Sequence, residues 1–246
     1  MTAYTYWNIW GTPFLDSKNE NHNTEKLREE CLQWGGDSRV INNSFLTDRT
    51  NMGSVPGEII KSGIYESTFN FLKEAEEREC SEIIILNRWL EVAIGDMFWD
   101  YFIESGHYRN VDYEFDNLDM KREDVYVDIR ESWLHITGNG GSHGAHDHLG
   151  FSWAFIYYVD IGDSTSKNGQ NVFYSYGRGG RDVNQEFGDF YKSYDLHTVV
   201  PENGKLSLFP ADVVHSAHVY LTKNKPRVVI AGNVKIHSDK WYERKR

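Results

Sequence analysis

Seven short segments rich in β-branched and aromatic residues, separated by Gly, Asn, Asp and Pro, occupy the second half of the chain. They are VYVDIR (125–130), SWLHIT (132–137), SWAFIYYVDI (152–161), NVFYSY (171–176), GKLSLFP (204–210), AHVYLT (217–222) and RVVIAGNVKI (227–236). Runs of this length and composition at such spacing are typical of the strands of an antiparallel sandwich or barrel. The sequence therefore predicts a mainly β structure beyond residue 120.

The first half of the chain carries the helical signal. Apolar residues in 57–79 recur mostly at intervals of three or four, which predicts one amphipathic helix or two short ones. Residues 82–105 are densely apolar with polar interruptions at turn-like intervals, which predicts a largely buried helix. The length fits a single domain, 1–246, in which residues 1–120 form a largely helical support and residues 121–246 the β body.

Charge and hydropathy narrow the partners and the location of the protein. The formal net charge of −11 at pH 7 repels phosphate backbones and disfavours nucleic acid as a partner. No run approaches the ~20 apolar residues of a membrane span, and the first residues lack the pattern of a signal peptide. Cys31 and Cys80 are too few for a secreted disulfide framework. We therefore expect a cytoplasmic protein without a membrane partner.

The segment GNGGSHGAHDHLG, residues 138–150, concentrates histidines and glycines. Alternate residues of a strand point to the same face, so an extended segment would direct His146 and His148 to one point while Asp147 faces away. A third ligand must come from elsewhere, and His215 follows an apolar strand and a proline-containing turn. Neutral imidazole is a common ligand of transition metals. The sequence therefore predicts a metal site formed by these three histidines.

Two further histidines lie close to this set in the sequence. His218 follows His215 at an odd spacing, so in an extended strand the two side chains point to opposite faces. His143 has an odd offset from His146 in a glycine-rich loop, which favours a role outside the ligand set or at the surface. Whether either one contributes to the site is open from the sequence alone.

Two spacings in the β body resemble those of the cupin superfamily. Gly140, followed after five residues by His146-x-His148, resembles the first cupin motif, and Gly204, followed by Pro210 and then His215, resembles the second. The glutamate that usually follows the first motif is absent. The resemblance covers the β body only and implies a barrel-like fold with a metal site.

A closer resemblance, over about 105 residues, is to 2-oxoglutarate- and Fe(II)-dependent oxygenases of bacteria and phages. The residues that match the pattern of that family are Trp133, Gly140, Gly141, His143, His146, His148, Ser152, Tyr157, Tyr158, Val159, Phe209, Pro210, His215, Arg227 and Asn233. The resemblance implies a double-stranded β-helix, that is, a distorted jelly roll, with N-terminal helices packed on one side.

The same resemblance implies roles for individual residues. His146, His148 and His215 would hold Fe(II), and Arg227 would pair with the distal carboxylate of the cosubstrate 2-oxoglutarate, which suits a planar guanidinium. Tyr158 or His135 would supply a second contact to the cosubstrate.

The chain departs from the wider superfamily at one ligand. His148 stands where most members have Asp or Glu, so three neutral ligands leave the site more positive by one charge.

Three functions are open at this point. The first is a non-haem Fe(II)- and 2-oxoglutarate-dependent oxygenase that hydroxylates a small-molecule or peptidyl substrate and has no catalytic residue beyond the metal ligands. The second is a three-histidine cupin-type dioxygenase that binds its substrate directly to iron without 2-oxoglutarate. The third is a non-enzymatic β-sandwich protein that binds a ligand. The resemblance favours the first, and neither the substrate nor the oligomeric state follows from the sequence.

Overall fold

The structure is a computed structural model that describes residues 4–9, 12–42, 63–104, 120–174, 196–223 and 225–240. Its α-helices are α1 (Thr24–Gln33), α2 (Phe71–Glu77) and α3 (Ser81–Phe98), the last continued by a π-helical segment, Trp99–Glu104. The strands are β1 (Tyr4–Ile9), β2 (Thr12–Lys18), β3 (Val40–Asn42), β4 (Ile64–Ser67), β5 (Tyr126–Thr137), β6 (Gly141–His146), β7 (Trp153–Asp160), β8 (Asn171–Tyr174), β9 (Leu196–Val199), β10 (Lys205–Pro210), β11 (His215–Tyr220) and β12 (Arg227–His237).

These strands form two antiparallel sheets. The large sheet has the order β1-β2-β10-β7-β12-β5-β4-β3, and the small sheet has the order β6-β11-β8-β9. From β5 onward the chain passes between the two sheets, so that β5, β7, β10 and β12 lie side by side in one and β6, β8, β9 and β11 in the other. The fold is therefore mainly β, a jelly roll with helices on one side, as predicted from the sequence.

The large sheet is covered on both faces. Phe155 and Tyr157 of β7 lie in an apolar cluster with residues of all three α-helices. Ile156 and Tyr158, the alternate residues of the same strand, lie in a second cluster with Phe173 of the small sheet. Every residue of β7 is buried, which explains why its sequence is continuously apolar rather than alternating.

Buried serines fix β4, β5 and α2 to one another. Ser132 Oγ in β5 accepts a hydrogen bond from the backbone N–H of Leu72 at 2.8 Å and donates to Asn70 Oδ1 at 2.7 Å. Ser67 Oγ in β4 accepts from the backbone N–H of Leu134 at 3.1 Å. A buried hydroxyl that satisfies backbone groups in this way holds two elements in one register. Strands β4 and β5 consequently present their inward residues to the small sheet at fixed positions.

All seven strand predictions are confirmed within the described residues, with 125–130 and 132–137 joined as the single strand β5. The predicted helix over 82–105 is confirmed as α3 and its π-helical continuation. The prediction of helix over 57–79 is wrong at Ile64–Ser67, which is strand β4, and right at α2, while 57–62 lie outside the described residues.

The first half of the chain, predicted as largely helical, contains both helices and strands. Strands β1 to β4 all come from this half and extend both edges of the large sheet. The division at residue 120 and the single domain stay predictions. Among the described residues, no helix combines the length and apolar character needed to cross a membrane.

Gly232 of β12 stands where neighbouring atoms leave no space for a side chain. A Cβ at this position would lie 2.6 Å from the carbonyl oxygen of Glu131 and 2.6 Å from Cε1 of Phe155. Backbone and a packed ring leave no room for it. We expect Gly232→Ala to lower the free energy of unfolding by about 1–3 kcal/mol, the range for an overpacked core, measured by chemical denaturation.

The matched control is Gly144→Ala, because a Cβ at Gly144 meets no atom within 4 Å. Its stability should equal or slightly exceed that of the wild type. Equal stabilities of the two variants would contradict the packing described for β12.

Candidate metal centre

Pairing of β6 with β11 brings together histidines that are far apart in sequence. His146 is the last residue of β6, His215 is the first residue of β11, and the two are register partners. His148 follows in the turn after β6, where its backbone N–H donates to the carbonyl of Ala211 at 2.8 Å. The ligand-capable nitrogens of the three rings all lie within 4.8 Å of one another. The three predicted metal ligands therefore converge.

One element of the sequence argument for this convergence is wrong. The pair His146 and His148 was expected on one face of a strand, but β6 ends at His146 and His148 lies in the turn. The turn, not strand alternation, directs the His148 ring toward the other two. Its Nε2 lies 3.4 Å from Nε2 of His215.

Backbone carbonyls fix the tautomers of two of these rings. Nδ1 of His215 lies 3.0 Å from the carbonyl oxygen of Val213, and Nδ1 of His146 lies 2.8 Å from that of Gly144. A carbonyl only accepts hydrogen bonds, so Nδ1 carries the proton in both rings. The lone pair of each ring is then on Nε2, which is the arrangement that a metal ligand requires.

Burial keeps the three imidazoles neutral. Desolvation, followed by the charges of neighbouring histidines, lowers the pKa of His146 and lowers that of His148 to about 4. Desolvation also lowers the pKa of His215 well below its ordinary value. Neutral imidazoles bind a cation without first losing a proton. Such a donor set suits Fe, Zn, Cu or Ni.

The triad lines a cavity of about 320 Å³ between the two sheets. This volume falls in the range of small-molecule sites. The walls are formed by Ile64, Glu66, Trp133, His135, Thr137, His143, Phe155, Ile156, Asn171, Ala217, Arg227, Val229 and Ala231 in addition to the three histidines. Trp133 lies against His148, with ring centroids 5.6 Å apart.

Arg227 enters the same cavity as a buried cation. Only 3% of the surface of Arg227 is exposed. Nη2 donates to Asn171 Oδ1 at 2.7 Å, but among the described residues no carboxylate pairs with the guanidinium and Nε has no partner. Burial lowers the pKa of Arg227 against the attraction of Tyr158 and Tyr220. A buried charge is costly without a counter-ion, and the part of the chain that the structure describes supplies none for Arg227.

Tyr158, one of the two residues that the resemblance offers for a second contact to 2-oxoglutarate, packs against Asn171 and Arg227. Its hydroxyl donates to Asn171 Oδ1 at 2.9 Å and its ring lies beneath the guanidinium, 5.6 Å from Cζ of Arg227. Tyr158 is fully buried and is not part of the cavity wall, whereas Asn171 is. Asn171 could not be identified from the sequence, because an amide at the start of a strand carries no distinctive pattern.

His135, Glu66 and His143 form a polar group on the cavity wall, which we call the Glu66 cluster. Glu66 Oε2 lies 3.0 Å from Nε2 of His135 and 3.4 Å from Nε2 of His143. Burial opposes ionisation of Glu66, but attraction to His135 and hydrogen bonds from both histidines hold its pKa below the ordinary value. Glu66 is not among the site residues predicted from the sequence, since it stands in a segment predicted as helix. His218 is exposed on β11, outside the cavity.

Comparisons with known proteins agree with this geometry. Residues 131–233 match the model of the family described as "Putative 2OG-Fe(II) oxygenase". Among solved structures, the non-heme alpha ketoglutarate dependent epimerase SnoN from nogalamycin biosynthesis is similar at 10% identity, covering 90% of this chain and 77% of that chain with a TM-score of 0.51. At this identity the likeness shows a shared fold.

Two further solved structures match over shorter stretches. A 2OG-Fe(II) oxygenase family oxidoreductase from Burkholderia pseudomallei is 13% identical over 46% of this chain and 45% of that chain, with a TM-score of 0.33. HygX from Streptomyces hygroscopicus, solved with nickel, 2-oxoglutarate and hygromycin B bound, is 12% identical over 44% and 55%, also with a TM-score of 0.33. This chain thus spans about half the length of these two.

A search of curated proteins gave no match. The family match covers the strands that carry the converging histidines and the buried arginine. Over residues 131–233, which are fewer than half of the chain, the protein is similar to the 2OG-Fe(II) oxygenase family.

Proposed function

We propose that the protein is a non-haem Fe(II)- and 2-oxoglutarate-dependent oxygenase that hydroxylates a small-molecule or peptidyl substrate. The observation that carries the proposal is a buried guanidinium, Arg227, in the same cavity as three converging imidazoles. A metal and a carboxylate are the two chemical groups that these features require, and 2-oxoglutarate brings a carboxylate together with a keto acid that chelates metal. Both free cysteines, one of them buried, are consistent with a cytoplasmic location.

In this proposal His146, His148 and His215 hold the iron through Nε2 atoms. The iron supplies the redox chemistry that couples oxidation of the cosubstrate to oxidation of the substrate. Three protein ligands leave coordination positions for exogenous groups. The carbonyls of Gly144 and Val213 keep the rings of His146 and His215 oriented.

Arg227 binds the distal carboxylate of 2-oxoglutarate. Asn171 accepts from Nη2 and thereby orients the guanidinium, and Tyr158 holds Asn171 in place through its hydroxyl. The free Nε–H of Arg227 leaves part of the planar donor edge for a carboxylate. Ile156 and Val229 form apolar walls that exclude water from this contact. We propose that Asn171 positions Arg227, and that His135, rather than Tyr158, stays available as a second contact to the cosubstrate because it lines the cavity.

A second candidate is a dioxygenase that uses three histidines and no 2-oxoglutarate. The neutral ligand set favours this second function, because His148 stands where the two-histidine, one-carboxylate triad has its carboxylate. Arg227 disfavours it unless the substrate is itself anionic. Anaerobic titration of the Fe(II) protein with 2-oxoglutarate, followed by a screen for succinate release over amino acids, nucleosides and peptides, tests the first function. Absence of both a visible charge-transfer band and succinate would favour the second.

Replacement of the buried arginine should weaken cosubstrate binding specifically. We expect Arg227→Met to raise the Kd for 2-oxoglutarate at least about 30-fold, which corresponds to about 2 kcal/mol for one truncated charge pair. Binding is measured by calorimetry with Co(II) in place of iron. Metal stoichiometry should not change, since Arg227 contacts none of the three histidines in the described residues.

Arg130→Met is the matched control for this measurement. Arg130 is exposed on β5 and pairs with Asp128, so its replacement should leave 2-oxoglutarate affinity as in the wild type. Wild-type affinity in Arg227→Met would remove the assignment of Arg227.

Removal of one imidazole should abolish stoichiometric metal. We expect His215→Ala to lower Co(II) affinity by more than about 100-fold, beyond the range found for residues outside the ligand set. The measurement is metal content by mass spectrometry after removal of purification tags, together with a Co(II) titration.

His218→Ala is the control, because His218 lies three residues away on the same strand and is exposed. One equivalent of tightly bound metal in His215→Ala would contradict the triad. No stoichiometric metal in the wild type would instead favour the non-enzymatic binding protein.

A further inference from the structure

The Glu66 cluster connects the metal ligands to a negative charge that is not itself a ligand. His143 Nδ1 lies 3.0 Å from His146 Nδ1, and His143 Nε2 lies 3.4 Å from Glu66 Oε2. His143 therefore stands between the ligand His146 and the carboxylate. The three residues come from β4 and β6, which lie in different sheets.

The direction of these hydrogen bonds follows from Gly144. Its carbonyl requires a proton on Nδ1 of His146. The single Nδ1–H of His146 is then shared between the Gly144 carbonyl oxygen, at 2.8 Å, and Nδ1 of His143, at 3.0 Å, so a neutral His143 carries its proton on Nε2. That Nε2–H points at Glu66. Two successive hydrogen bonds are thus donated from the ligand ring toward the carboxylate.

His135 holds the carboxylate in place. Its Nε2 lies 3.0 Å from the same oxygen of Glu66, and its ring stacks on that of His143 with centroids 5.5 Å apart. Only 19% of the Glu66 side chain is exposed, so solvent screens its charge weakly. Among the described residues of the cavity wall, the Glu66 carboxylate consequently lies near a ligand set that itself contains no carboxylate.

We propose that Glu66, acting through His143, supplies the metal centre with the negative charge that the third histidine ligand lacks. Glu66 and His143 are positioning residues for His146. The relay makes the His146 ring a stronger donor, as a carboxylate does for a metal-bound histidine that contacts it directly. The inference rests on the metal site of the proposed function and is independent of 2-oxoglutarate.

The test measures metal binding and redox potential without cosubstrate. Glu66→Gln removes the charge while keeping the shape, and we expect it to weaken Co(II) binding about 10- to 100-fold. The reduction potential of the bound iron should rise, since loss of a nearby negative charge favours Fe(II) over Fe(III). A variant that merely disordered the metal ligands would weaken metal binding, but it would not shift the reduction potential consistently upward.

A double-mutant cycle separates the relay from independent effects. His143→Asn keeps an acceptor near Nδ1 of His146 but cannot reach Glu66, so it should reproduce the loss seen in Glu66→Gln. The double variant should bind Co(II) no more weakly than either single variant, because both changes break one chain of interactions. Glu66→Asp should retain part of the wild-type affinity, and Glu131→Gln, on the exposed part of β5, should retain all of it.

The outcomes distinguish this inference from the proposed function. A wild type that binds no Co(II) would refute the metal site itself. Normal binding by the wild type together with unchanged affinity and potential in Glu66→Gln would overturn only the relay. Additive losses in the double variant would also overturn it. If Glu66→Gln fails to fold, the potential measured in His143→Asn decides.

Discussion

The antiparallel pairing of β6 with β11 is the contact on which the site depends. It makes His146 and His215 register partners, although 68 residues separate them in sequence. The turn that follows β6 then needs only one backbone hydrogen bond, from His148 to Ala211, to complete the set. The register of this single strand pair decides whether the rings meet, because a shift of one residue would turn His215 to the other face.

The cavity holds opposite charges at fixed and separate places. The buried guanidinium of Arg227 donates a hydrogen bond to the side-chain amide of Asn171. The Glu66 carboxylate contacts the imidazoles of His135 and His143. The three histidine rings that burial keeps neutral line the same cavity. In a weakly solvated space these charges act over several ångströms with little screening. The fold itself therefore holds both charged groups in place.

Much of the jelly-roll body could be predicted because its signals are local. Runs of β-branched and aromatic residues between turn residues located the seven strands, and the spacing of histidines located the ligands. The strand β4 could not be predicted in this way, since IYES is short and lies beside a segment with helical periodicity. It forms because β5 offers it an edge, which is information that only the tertiary structure contains.

The same reason accounts for the site residues that were missed or misplaced. Glu66 can be recognised as a site residue only from its place beside His135, its register partner on β5. Asn171 can be recognised as a site residue only from its hydrogen bond to Arg227. Tyr158 matched a sequence pattern, but the pattern does not say that an amide from the other sheet stands between its hydroxyl and the cavity. Sequence spacing identified site residues that lie close together in the chain. The residues that contact them from the other sheet could be found only from the structure.

The position of Glu66 on β4 has a consequence for how such centres change during evolution. The region matched by the family model, 131–233, contains the histidines and the arginine but not this carboxylate. A recombination event that grafted the matched segment onto a different N-terminal scaffold would transfer the ligands while exchanging their electrostatic surroundings. Enzymes with the same ligands could in this way acquire different metal preferences through the part of the chain that looks least related to chemistry.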